Sequence, residues 1–344
     1  MDEKDPWAAA AALMAAQGGV ITRSQARSVG LTPSQIDTRL RREEWFVVRR
    51  GTYAATAPDD DDAGAAHALA VAARACGRKQ VHAGSHRSAA LVLGIPLLGL
   101  PPRHAQLVRA PTGPGDVSTE KGVHVARLDP DEAVLCRGVL VTSPARTVVD
   151  VARTSPFRDG VVATDAVLHA GLPRRELEAM LARCARWPGA VAAARAVAFA
   201  DERAESVLES LDRVAFAECG LPAPRTQVDV VTASGLWLGR VDFLFEEQRT
   251  VVEPDGLAKY RLRAGDTVPQ WAETALAKEK QRELGLQRHG LQVVRNEWDE
   301  AFRRPRELAE RVRRHLAVGA ALPRDELFFL EQDVRRKPLR WPLA

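Results

Sequence analysis

The stretch RVDFLFEEQRTVVEPDGLAKY, Arg240–Tyr260, sets Asp242, Glu253 and Asp255 among short apolar runs that have the composition of buried strand. "RVDFLF" and "TVVE" are rich in β-branched and aromatic residues, and the polar "EEQR" between them reads as a four-residue hairpin turn at 246–249. That turn puts Phe245 opposite Thr250, Leu244 opposite Val251 and Asp242 opposite Glu253. Directly opposed residues have Cβ atoms about 5 Å apart, and like charges there destabilise the pair. Because side chains alternate along a strand, Asp255 returns to the face of Glu253 if the strand runs that far. Such carboxylates must protonate, splay into water or bind a cation. Oxygen-only ligands favour Mg²⁺ or Mn²⁺ over zinc. The alternative is an exposed hairpin edge whose carboxylates blunt strand pairing.

Outward from this hairpin, residues 201–315 read as one α-β-β-β-α-β unit. "ERAESVLESLDRVAFAECG" is an amphipathic helix with Val207, Leu208, Leu211, Val214 and Ala215 on its apolar face. Three antiparallel strands follow, then the helix "WAETALAKEKQRELGLQRHG" and the strand "LQVVRNEW".

The N-terminal end has a different pattern. "WAAAAALMAAQGG" is an Ala-rich helix stopped by Gly18 and Gly19. "TRSQARSVG" starts on Thr22 as N-cap, and "LTPSQIDTRLRREE" has Thr32 as N-cap with Pro33 at the first helical position. "WFVVRRGTYAA" is a strand, a turn and a strand. This is winged helix-turn-helix order. A third helix entering the major groove would present Ser34, Gln35, Thr38 and Arg39 outward, with Arg41 and Arg42 further along. Arg49 and Arg50 would lie on the wing near phosphates. Double-stranded DNA is therefore the expected partner, with a homodimer as an option.

Between these ends, after the acidic loop Asp59–Asp62, lies a mixed α/β segment read as a structural platform. His86 and Arg87 are candidates for a functional role there, and a satisfied structural histidine is the preferred reading. The chain contains no phosphate-binding Gly loop, nucleophile elbow or HExxH. The expected boundaries are 1–60 for the winged helix, 61–200 for the platform, 201–318 for the C-terminal α/β domain and 319–344 for a tail.

Composition limits the rest. The 344 residues are 46% hydrophobic and 27% charged with net charge +4, an ordinary globular balance that neither demands nor excludes nucleic acid. The four cysteines are scattered singly, without CxxC, which points to a reduced cytoplasmic setting. The start of the chain is acidic before its apolar run, the wrong order for a signal peptide, and no apolar run reaches membrane-span length.

The α-β-β-β-α-β order, with "ES" at Glu209-Ser210, "GRVDF" at Gly239–Phe243, "VVEPDGLAKY" at Val251–Tyr260, "EKQRELGL" at Glu279–Leu286 and "GLQVVR" at Gly290–Arg295, resembles the PD-(D/E)XK nuclease superfamily. More closely, it resembles the small domains akin to very-short-patch-repair endonucleases. The first sixty residues, with "SHRSAALVLGIPL" and "VTSPARTVVDVAR", resemble proteins with an AbiEi-type antitoxin N-terminus. The fold class is thus α+β multidomain. The first resemblance implies a Mg²⁺- or Mn²⁺-dependent endonuclease of DNA repair or defence. Asp242 and Glu253 would be metal ligands, joined by the carbonyl of Pro254. Glu209 would be an additional acidic ligand or water-orienting group, with Glu205 its rival. The superfamily pattern expects Lys two residues after the acid, where this chain has Asp255; Lys259, then Lys280, are the candidate replacements. The second resemblance implies a transcriptional regulator or antitoxin whose nuclease-like domain binds nucleic acid without cutting.

Overall fold

The computed structural model describes residues 5–59, 61–254, 270–331, 334 and 336. The chain divides into two compact units, Met1–Ala200 with Lys337–Ala344, and Asp201–Arg336.

The first unit opens with α1 (Pro6–Ala16), β1 (Val20–Thr22), α2 (Arg23–Ser28), α3 (Pro33–Arg41), β2 (Phe46–Arg49) and β3 (Thr52–Ala54). The three strands form one sheet in the order β1-β3-β2, so the wing hairpin gains a short strand that sequence patterning missed. α2 and α3 each start on a capping box, Thr22 with Gln25 and Thr32 with Gln35, and Pro33 opens α3. Ile36 of α3 is fully buried and packs with Met14, Ile21, Ala26, Trp45 and Tyr53.

The remainder of this unit contains α4 (Ala63–Ala75), β4 (Ala83–Gly84), α5 (His86–Leu93), β5 (Leu107–Arg109), β6 (Val123–Val125), β7 (Ala133–Cys136), β8 (Val139–Thr142), α6 (Pro144–Thr154), α7 (Phe157–His169), α8 (Arg174–Arg183) and α9 (Ala190–Phe199). Its sheet runs β6-β5-β4-β8-β7.

The second unit contains α10 (Val207–Glu218), β9 (Arg225–Thr232), β10 (Trp237–Phe245), β11 (Thr250–Pro254), α11 (Gln270–Arg288), β12 (Gln292–Asn296), α12 (Trp298–Arg303), α13 (Pro305–Ala320) and β13 (Leu327–Glu331). The sheet order is β12-β11-β10-β9-β13. β9, β10 and β11 are antiparallel neighbours, and β12 lies parallel to β11 after the helical crossover through α11. Phe245 pairs with Thr250, Leu244 with Val251 and Phe243 with Val252, the register the four-residue turn predicts. Asp242 and Glu253 are the next positions along these strands.

The tail reading needs correction, because Leu327–Glu331 pairs antiparallel with β9 as a fifth strand. The apolar run "LFFLE" covers a β9 edge that would otherwise present unpaired backbone groups. The core has two sides. Val228, Val230, Val241, Leu244 and Val251 pack with Leu286 of α11. Phe216 of α10 meets Phe243 and Phe245 edge-on, with ring centroids 5.6 Å apart in each case.

Candidate functional site

Carboxylates of the second unit gather where α10, β9, β10 and β11 meet. Glu209 sits in the first turn of α10, fixed by Ser206, the N-cap. The Ser206 hydroxyl donates to Glu209 Oε1 at 2.7 Å and the Glu205 amide donates to Oε2 at 3.0 Å. Gln227 of β9 joins two acids: its Nε2 donates to Glu209 Oε2 at 2.9 Å and to Asp242 Oδ1 at 3.0 Å. Gln227 holds this position with a backbone φ of +54°, a left-handed conformation rare inside a strand. Burial, with the charges of Glu209 and then Glu253 adding to it, pushes the Asp242 carboxyl up to about 7. Burial likewise pushes Glu209 above the usual carboxylate range.

Glu253 has different partners. Arg282 of α11 grips it with both terminal nitrogens, Nη1 to Oε1 at 2.7 Å and Nη2 to Oε2 at 2.6 Å. Arg295 of β12 approaches the same Oε2 at 3.4 Å and pairs with Glu279. Burial raises the Glu253 pKa while Arg282 opposes the rise. Glu205, the rival acid, is taken up by Arg240. Asp212, one turn beyond Glu209 on α10, is fully buried against Asn296 (Nδ2 to Oδ1, 2.9 Å) and burial drives its pKa well up. Lys280 is exposed. Asp255 and Lys259 lie outside the described residues.

The hairpin thus brings Asp242 and Glu253 to the same end of the sheet, with Glu209 nearby. As they are held, Glu209 and Glu253 are engaged by protein donors. Both oxygens of Glu209 and both of Glu253 already accept strong hydrogen bonds. Among the described residues, no three Asp, Glu, His or Cys side chains converge closely enough to hold a metal ion. Sequence reading missed Gln227 and Arg282. The only signal for Gln227 was a polar residue within a β-branched run. Nothing linear ties Arg282 to Glu253, twenty-nine residues earlier.

In the first unit, Ser34, Gln35 and Arg41 of α3 and its C-cap Arg42 are exposed, as are Arg49 and Arg50 at the tip of the β2–β3 hairpin. Gln35 is partly committed, its Oε1 accepting from the Thr32 amide at 2.8 Å. Thr38 is half-buried, its hydroxyl donating to the Ser34 carbonyl at 2.8 Å and accepting from Arg41 at 3.0 Å. Arg39 departs from the expected outward direction. It pairs with Glu44 and stacks over Trp7, 4.3 Å from the ring centroid, so its charge is held by its own domain.

The two motifs of the middle segment meet in one buried polar cluster. His86 has a φ of +51° and stacks on His124 of β6 at 3.9 Å. Arg153 of α6 donates to His86 Nε2 at 3.2 Å, so Nδ1 carries the proton and donates to the Ser85 hydroxyl at 3.0 Å. Asp150 accepts from Arg146 at 2.9 Å and from Arg153 at 2.8 Å, and Arg146 also binds Glu132 at 2.6 Å. Burial pushes His86 down to about 3, so the imidazole is neutral. The histidine is ordered against an aspartate, yet enclosed by partners on every side.

Comparison with known proteins bears on the N-terminal segment through a family model. Residues 9–56 match the family described as "Transcriptional regulator, AbiEi antitoxin". Two uncharacterized proteins from two strains of Mycobacterium tuberculosis are each 33% identical over 183 residues, which is 52% of this chain and 62% of theirs. The chain therefore spans under two thirds of the length of these relatives. No helix among the described residues is long and apolar enough to cross a membrane.

Proposed function

We propose that the protein is a DNA-binding transcriptional regulator of the AbiEi antitoxin kind, with α3 in the major groove and the β2–β3 wing on the phosphate backbone. One observation carries this reading: within the segment that matches the antitoxin family, Arg41, Arg42, Arg49 and Arg50 are exposed on the recognition helix and the wing tip. Ser34 and Gln35 at the start of α3 are the side chains placed to reach base edges. Exchanging Arg42, Arg49 and Arg50 for Glu is expected to weaken duplex binding by orders of magnitude. It should also reduce the slope of log K against log salt by roughly 3, one for each lost phosphate contact. An unchanged slope in a fluorescence-anisotropy titration would remove α3 and the wing from the DNA interface.

A second reading is that the C-terminal unit is a PD-(D/E)XK-like, Mg²⁺- or Mn²⁺-dependent endonuclease. Its support is the sheet itself: three antiparallel strands, a helical crossover to a parallel fourth, and Glu209, Asp242 and Glu253 at one end. Asp255 and Lys259 would complete the motif. On this reading the chain nicks supercoiled plasmid in Mn²⁺, and Asp242→Asn abolishes the nicking. A wild type that never nicks any DNA offered leaves the regulator standing alone.

A further inference from the structure

We infer that Arg282 is the built-in counter-ion of the acid cluster, standing where a divalent ion would stand, so that metal and Arg282 exclude each other at Glu253. The inference rests on the second reading only in taking Glu209, Asp242 and Glu253 as one cluster placed for a cation.

Three features make the position of Arg282 a built one. Its guanidinium is bidentate on Glu253, the strongest geometry available to an arginine–carboxylate pair. The same guanidinium donates to the Arg240 carbonyl at 2.8 Å and to Glu279, one turn back on α11, at 2.6 Å. The stem of Arg282 then passes over Gly239 of β10, where φ is +148°. A Cβ at Gly239 would come within 2.8 Å of Arg282 Cδ and 3.0 Å of Cγ. The strand is therefore indented at the point where the arginine crosses it. Arg295 supplies a second positive charge to the same carboxylate from β12. A divalent ion reaching Glu253 would have to displace a fork-on-fork pair and set its cation loose in a half-buried site.

This arrangement also bears on the sequence departure at Asp255. The superfamily pattern expects a cationic side chain two residues after this acid, and here a cation reaches Glu253 from α11. Arg282 is thus a positioning residue for Glu253, without assignment to any reacting atom.

The test is a set of melting curves on the full chain, in EDTA and in millimolar MnCl₂. Wild type should melt at the same temperature in both. Arg282→Met, which removes the charge and keeps much of the stem, should melt lower in EDTA and rise by roughly 3 °C or more with Mn²⁺. Arg282→Lys should remain insensitive to Mn²⁺. A wild type that gains as much from Mn²⁺ as Arg282→Met, or an Arg282→Met that gains nothing, overturns the inference. Should Arg282→Met fail to fold, the paired change Glu253→Gln with Arg282→Met should fold and ignore Mn²⁺, because no charge is left unpaired. A pair that stays unfolded counts against the counter-ion role. Plasmid nicking separates this from the second reading. A wild type that takes up Mn²⁺ and nicks sinks the inference and keeps the nuclease. A Mn²⁺ response confined to Arg282→Met, with no variant nicking, keeps the inference and sinks the nuclease.

Discussion

At the scale of single residues, the molecule places titratable side chains where solvation cannot decide their charge. His86 shows the consequence most directly. Its ring faces Asp150, Arg146 and Arg153 on α6, His124 on β6 and the Ser85 hydroxyl, and it stays neutral with a pKa near 3 against an ordinary 6.5. A histidine whose folded pKa is depressed leaves stability intact above 6.5 and withdraws it as the pH falls toward 3, because the unfolded chain takes up a proton that the folded chain refuses. Burial also lowers His124 and His67, so the slope is shared. Taken alone, His86 lowers the urea midpoint on acidification, while the raised carboxyl of Asp242 works in the opposite sense. His86→Phe should therefore shift the midpoint-against-pH profile toward a smaller fall or a larger rise between neutral pH and about pH 5. An identical pH dependence in the variant would mean that His86 is not the buried neutral group. Nothing in the SHRS stretch marks this fate, since the ring is enclosed by residues from as far away as Arg153.

At the scale of elements, the N-terminal helices were legible because their signals are local. Thr22, Thr32 and Pro33 cap and open α2 and α3 through contacts no more than three residues long. Thr32→Ala removes the acceptor of the Gln35 amide and should cost about 1 kcal/mol, seen as a lower denaturation midpoint. Duplex affinity should fall with it, because the first turn of α3 carries Ser34 and Gln35; a variant of unaltered stability would show that the cap is dispensable. The hairpin of β10 and β11 was equally readable, since a turn of fixed length sets the register. β1 and β13 were not. β1 has only three residues, and β13 is a strand by virtue of β9 beside it. Strand propensity is weak enough that pairing partners decide it.

At the scale of the whole molecule, two compact units divide the work proposed here, with duplex affinity in the first and the acid cluster in the second. Asp242→Asn should then leave duplex affinity within about twofold of wild type, since sites without shared partners act independently. A loss as large as that of the wing reversals, read in the same anisotropy titration, would move DNA binding into the second unit. The sequence by itself determined the helix caps of the N-terminal segment, the hairpin register and the convergence of Asp242 and Glu253, because each depends on periodicity or on contacts between near neighbours. The tertiary structure alone decided what those carboxylates touch. Gln227 comes to Glu209 and Asp242 from another strand in an unusual backbone conformation, and Arg282 comes to Glu253 from the crossover helix over an indentation at Gly239. Arg39, outward-facing by helical spacing, turned instead to Trp7 and Glu44 of its own domain. In each case a charged side chain was long enough to choose among partners, and only the packed fold fixed which partner lay within reach.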